Sequence, residues 1–112
     1  MLSISLLLVA GTPAATVTGT ACPSTYRGAP LSNSQVTDGP PEEMAILRGS
    51  DDRKVGGAIV SSWRVAYVYK QGRQVHLFCE YAKGSSLVIK VARSVGTCLH
   101  TAKGRRETIR CR

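Results

Sequence analysis

No apolar run in this 112-residue chain reaches the roughly 20 residues that a membrane-spanning helix needs. The longest, Leu2 to Ala10, has the length of a signal-peptide core and is too short for an anchor. Lys and Arg are missing from the first 26 residues, so the segment before that core carries only its amino terminus. No two of the four cysteines have the short spacing of a metal knuckle, and His76 and His100 do not supply the missing ligands, which argues against a zinc site. Internal repeats and low-complexity tracts are absent as well.

The usual constellations of catalysis are also lacking. Ser61-Ser62 has no glycine-flanked elbow to expose a nucleophile. Glu42 and Glu43 are adjacent, so on a helical turn they point in different directions and make a poor acid/base pair. Gly56-Gly57 is not followed by the Lys-Ser/Thr of a phosphate loop and reads as a bend. His76 and His100 are isolated on strands. The chain is predicted not to be an enzyme and to need no cofactor or metal.

What is present is an export format. Gly11 and Pro13 follow the apolar core, and small residues then stand where a signal peptidase reads, at Gly19-Thr20-Ala21 and again at Ala14-Ala15. The first of these makes residues 1–21 the leader and residues 22–112 a single exported domain of 91 residues; cleavage at Ala15 is the second choice. Cys22 would then be the first mature residue, the place of a lipid-modified cysteine. Gly19, where a large aliphatic residue is usual in that class, weakens the match. All four cysteines, Cys22, Cys79, Cys98 and Cys111, lie after the leader, as in exported proteins stapled by disulfides. The expected compartment is the bacterial periplasm or the exterior.

A domain this small has a thin stability margin, and a disulfide that closes a long loop adds about 2–4 kcal/mol. Cys98 to Ala102 against Glu107 to Cys111 reads as a hairpin joined by Lys103 to Arg106, a register that puts Cys98 opposite Cys111. Cys22 is left for Cys79.

Charge is unevenly spread around a net +8. Over residues 22–52, Arg27 and Arg48 stand against Asp38, Glu42, Glu43, Asp51 and Asp52, a balance of −3; from Arg53 onward thirteen Lys or Arg face only Glu80 and Glu107, a balance of +11. The second half is the expected meeting place for an acidic partner.

Along the chain, Pro23 to Asn33 reads as an irregular entry segment, Ser34 to Thr37 as a short strand, and Asp38-Gly39-Pro40-Pro41 as a turn that starts a short helical turn ending before Gly49. Period-two alternation predicts strands over Trp63 to Lys70, Val75 to Tyr81 and Leu87 to Val91, followed by the cysteine hairpin. Short connections imply antiparallel neighbours. The predicted fold is mainly β, a small antiparallel meander sheet or open barrel with one short helical turn and two disulfides.

The order Cys22-Pro23, Asp38-Gly39-Pro40-Pro41-Glu42 with Leu47, then Trp63, Cys79-Glu80-Tyr81, Cys98 and Cys111 resembles a largely uncharacterised family of small, signal-peptide-bearing, cysteine-containing exported bacterial proteins. The resemblance covers most of the chain after the leader, lies in the combined order, and brings no catalytic residues with it. The format is similar to periplasmic inhibitor and immunity proteins, which block cell-wall-degrading enzymes; this is an analogy of architecture. Inhibitors of basic lysozymes tend to be acidic, so a charge of +8 points to an acidic target instead.

These readings predict a non-catalytic exported binding protein, of inhibitor or immunity type, whose partner is a protein with an acidic surface, such as an envelope enzyme. The alternative partner is an anionic envelope glycan or lipid; nucleic acid is not expected outside the cell. Arg64, Lys70, Arg73, Lys103, Arg105 and Arg106 are the candidate contact residues, because they gather at strand ends and turns of the basic half.

Overall fold

The strictest alternation in the sequence, Val75 to Tyr81, becomes the central strand of the larger of two sheets. A computed structural model describes residues 14–112, so the apolar run Leu2–Ala10 lies outside the described residues. In chain order the strands are β1 (Ala15–Gly19), β2 (Thr25–Tyr26), β3 (Ala29–Asp38), β4 (Ser50–Val55), β5 (Ala58–Arg64), β6 (Val75–Tyr81), β7 (Ser86–Val91), β8 (Thr97–Lys103) and β9 (Arg106–Cys111). One α-helix, α1 (Ala66–Lys70), and two 3-10 turns, Pro41–Glu43 and Ala82–Gly84, complete the elements among the described residues. The protein is mainly β, as its alternation predicts.

One sheet runs β1-β7-β6-β3-β2 and the other β4-β5-β8-β9. Two of the predicted neighbours are simple hairpin-like pairs, β6 with β7 and β8 with β9; two further hairpins, β2 with β3 and β4 with β5, were not predicted. The remaining connections are longer than a meander requires: β3 pairs antiparallel with β6, β5 with β8, and β1 lies parallel to β7.

Val75, Leu77, Cys79 and Tyr81 of β6 all point into the core, and Val36 and Ile89 flank Leu77 in register on the neighbouring strands. Full burial of an aliphatic side chain contributes about 1.5–3 kcal/mol, so this row is a principal source of stability. Ile109, Cys98 and Cys111 from the second sheet join the same cluster, which makes a single core between the sheets.

Both disulfides form as expected. Cys98 stands opposite Cys111 in the β8–β9 register with Cα atoms 3.9 Å apart, and Cys22 joins Cys79 across 5.8 Å. The hairpin ladder continues through Lys103 and Arg106, so its turn is the two residues Gly104-Arg105 rather than the predicted four. Gly104 has φ 61°, which the first central position of a tight type II′ hairpin turn requires and glycine adopts without strain.

Three local expectations are corrected. Trp63 to Lys70 is not one strand: β5 ends at Arg64 and α1 follows. Val65 and Val68, both fully buried, would sit on opposite faces of a strand, whereas three residues apart they share one helical face. Pro23 to Asn33 is not irregular, since it contains β2 and the start of a ten-residue β3. The helical turn after Pro40 stops well before Gly49. Met44 takes a left-handed conformation at its end, and the next residues run beside β3, with Leu47 N–H donating to Val36 C=O at 2.8 Å. Gly56-Gly57 is the turn that joins β4 to β5.

Candidate functional site: a basic groove beside the β8–β9 turn

The turn closed by Lys103 and Arg106 projects from the end of the second sheet, and the β2–β3 hairpin of the first sheet lies beside it. Between them is an open groove of about 750 Å³. One wall is Ser24, Thr25, Pro30 and Leu31; the other carries Lys103, Arg105 and Arg106, with Glu107 and Thr108 below them.

The three cations are exposed, and among the described residues no carboxylate pairs with them. Glu107, their nearest neighbour in sequence, is engaged elsewhere. Its Oε2 lies 3.0 Å from His100 Nε2 and accepts a hydrogen bond from Ser34 Oγ at 3.1 Å. Ser34 is on β3, so this contact ties the base of the basic turn to the first sheet. The hairpin is therefore held at its root while its cationic tip stays unneutralised.

Ser34, Glu107 and His100 combine the residue types of a hydrolytic triad in the wrong order. Serine and histidine both address the same glutamate oxygen, so the imidazole is not placed to take the serine proton. The cluster fits a structural tie. Among the described residues no group of three His, Cys, Asp or Glu side chains converges on a common point as metal ligands would.

The opposite wall is fixed by Tyr81. Its hydroxyl donates to Pro23 C=O at 2.7 Å, and its ring packs against Tyr26 with centroids 5.3 Å apart. Burial, with a smaller contribution from Tyr26, pushes the Tyr81 phenol up to about 12. This buried anchor sets the position of Ser24 and Thr25, which the sequence did not mark as site residues. The only signal there was Arg27-Gly28, and that pair is a weaker turn mark than Asn-Gly or Asp-Gly.

The structure thus brings together three of the six candidate residues. Arg64 ends β5 opposite Thr97, at the start of β8, whereas Lys103 ends β8. Six strand steps put the two about 20 Å apart. Lys70 closes α1 in a separate hollow beside Tyr69 and Val95. Arg73 is internally paired: Nε donates to the Asp38 carboxylate, and Nη2 to the Glu43 carboxylate at 2.6 Å and to Asp38 C=O at 3.0 Å. The Asp38 hydrogen bond, followed by that of Glu43, raises its already high pKa. Gly39 passes directly under this clasp, where a Cβ would collide with the guanidinium.

Comparison with known families supplies the decisive observation. Residues 24–112 match the model of the type VI secretion system Tli immunity protein family. The chain belongs to this family. No curated protein and no solved structure matches it at a significant level. The match covers both disulfide hairpin strands, both groove walls and α1, and it begins after β1. Membership in an immunity family agrees with a binding protein, and two disulfides suit an oxidising compartment. No helix among the described residues is long and apolar enough to cross a membrane.

Proposed function

We propose that this Tli-family protein is a non-catalytic periplasmic immunity protein that neutralises a toxin, an enzyme acting on the cell envelope, by docking the basic groove on an acidic surface of it. The observation that carries this reading is the unpaired trio Lys103, Arg105 and Arg106 beside a groove of about 750 Å³. Folding normally neutralises or disperses like charges. Here a two-residue turn presents three cations together on a root that is covalently and polarly fixed. Such a tip favours rapid encounter with a negatively charged surface, and the hydroxyls of Ser24, Thr25 and Thr108 can complete hydrogen bonds to carboxylates once docked.

Arg64, at the far end of the second sheet, and Lys70, at the end of α1, would extend the contact only for a large partner. Arg73 serves the fold through its clasp.

Pull-down of the cognate toxin by the wild type and by the K103S/R105S/R106S variant tests this. The wild type retains the toxin stoichiometrically and the variant retains at least tenfold less, a loss of about 1.4 kcal/mol or more. Equal retention excludes the groove. Retention of purified anionic envelope polymer that vanishes with modest salt would instead support the glycan or lipid reading.

A further inference from the structure

The segment that sequence patterning assigns to the leader contains a strand. Residues 15–21, immediately before the cut favoured at Ala21, are seated on both sheets. β1 pairs parallel with β7 through five register positions, Ala15 with Leu87 to Gly19 with Val91. Gly19 C=O then accepts from Ala92 N–H at 2.9 Å, and Thr20 C=O accepts from Cys111 N–H at 2.7 Å. Ala21 bridges to Arg110, and Cys22 N–H donates to Ile109 C=O at 3.2 Å. One short stretch thus covers the edge of the first sheet at β7, crosses the gap, and covers the edge of the second at β9.

A cut after Ala21 would strip both edges. β7 would become the outer strand of its sheet, although Leu87, Val88 and Ile89 are buried, and an unpaired, apolar edge is a template for aggregation. Cys22 bears on the same point. Its sulfur is bonded to Cys79, and a sulfur in a disulfide cannot also carry the thioether of a lipid anchor. Upstream, the small residues Ala14 and Ala15 follow the apolar core and Pro13, and a cut there leaves Thr16 to Cys22 in place.

We infer that the export peptidase cuts at Ala14 or Ala15, that residues 16–21 belong to the mature domain as its edge-sealing strand, and that Cys22 is a staple rather than a lipid attachment point. This rests on the reading of Leu2–Ala10 as an export leader and is independent of the toxin-binding reading. The family match starts at residue 24 and so does not supply it.

Intact mass spectrometry and N-terminal sequencing of the full chain, expressed with a carboxy-terminal tag and recovered from the envelope fraction, decide it. The expected mature chain begins at Ala15 or Thr16, carries no acyl mass, and gains one hydrogen per cysteine on reduction. A chain beginning at Cys22, free or acylated, overturns the inference. A chain still beginning at Met1 overturns the leader reading on which it rests. Toxin binding is not part of the readout, so failure of the docking proposal would not mimic either result. As a second measurement, oxidised chains beginning at Thr16 and at Cys22 are compared by thermal melting. The shorter one should melt at least about 5 °C lower, and equal melting would overturn the structural role of the segment.

Discussion

At the scale of single residues, Tyr81 links the core to the groove. It is 3% exposed, yet its hydroxyl reaches Pro23 C=O. Its replacement by Phe removes that hydrogen bond and leaves a carbonyl short of a donor, so Tyr81→Phe should cost about 1 kcal/mol in urea unfolding at pH 7. The folded phenol titrates near 12, above the ordinary 10 of the unfolded chain. Below pH ~10 both states are neutral and the stabilisation is complete; as pH rises toward 12 the unfolded chain ionises first and stability falls. Unfolding midpoints measured between pH 8 and pH 11 should therefore drop more steeply for the wild type than for Tyr81→Phe. Arg73 makes the opposite case, a conspicuous surface cation occupied by Asp38 and Glu43. Arg73→Ala should speed amide hydrogen exchange at Gly39 and Glu43 and leave toxin affinity unchanged. The sequence made Arg73 look like its neighbours in the basic half, because a carboxylate partner 35 positions away is invisible to local patterning.

Among the elements, the β8–β9 hairpin was the most legible. Its strand alternation, its cysteines at opposite ends and its basic turn already gave the register and the docking candidates. β6 was equally plain, because alternate residues face the core along its whole length. Two elements were obscured for different reasons. α1 is so short that its apolar spacing fits both periods, and only the burial of Val65 together with Val68 decides between them. β2 and the first half of β3 were hidden by Pro30 and a run of small polar residues; Pro30 is tolerated because it stands at the start of β3, before the ladder with β6 begins at Leu31. The disulfides should differ in effect. Chain-entropy arguments give about 4 kcal/mol for the 57-residue separation of Cys22–Cys79 and about 3 kcal/mol for the 13-residue separation of Cys98–Cys111. Double Cys→Ala variants compared by urea unfolding should lose stability in that order. Removing Cys98–Cys111 should in addition loosen the groove's cationic wall.

For the whole molecule, the acidic first part and basic second part do not become two separate faces. The basic half supplies both sheets, and its charges are dispersed except at the β8–β9 tip. Net charge alone suggested an acidic partner without pointing to a contact; the fold offers the proposed one by placing the β2–β3 hairpin beside Lys103, Arg105 and Arg106. That pairing joins residues about 80 positions apart and could not be read from the sequence. The central claim is that this groove binds the toxin. Titration calorimetry of the purified, oxidised protein with its cognate toxin, at low and at physiological salt, tests it most directly. A stoichiometric complex is expected, weakening moderately with salt and at least tenfold in K103S/R105S/R106S, with the variant's melting temperature unchanged. A variant that folds normally and binds the toxin as tightly as the wild type would contradict it.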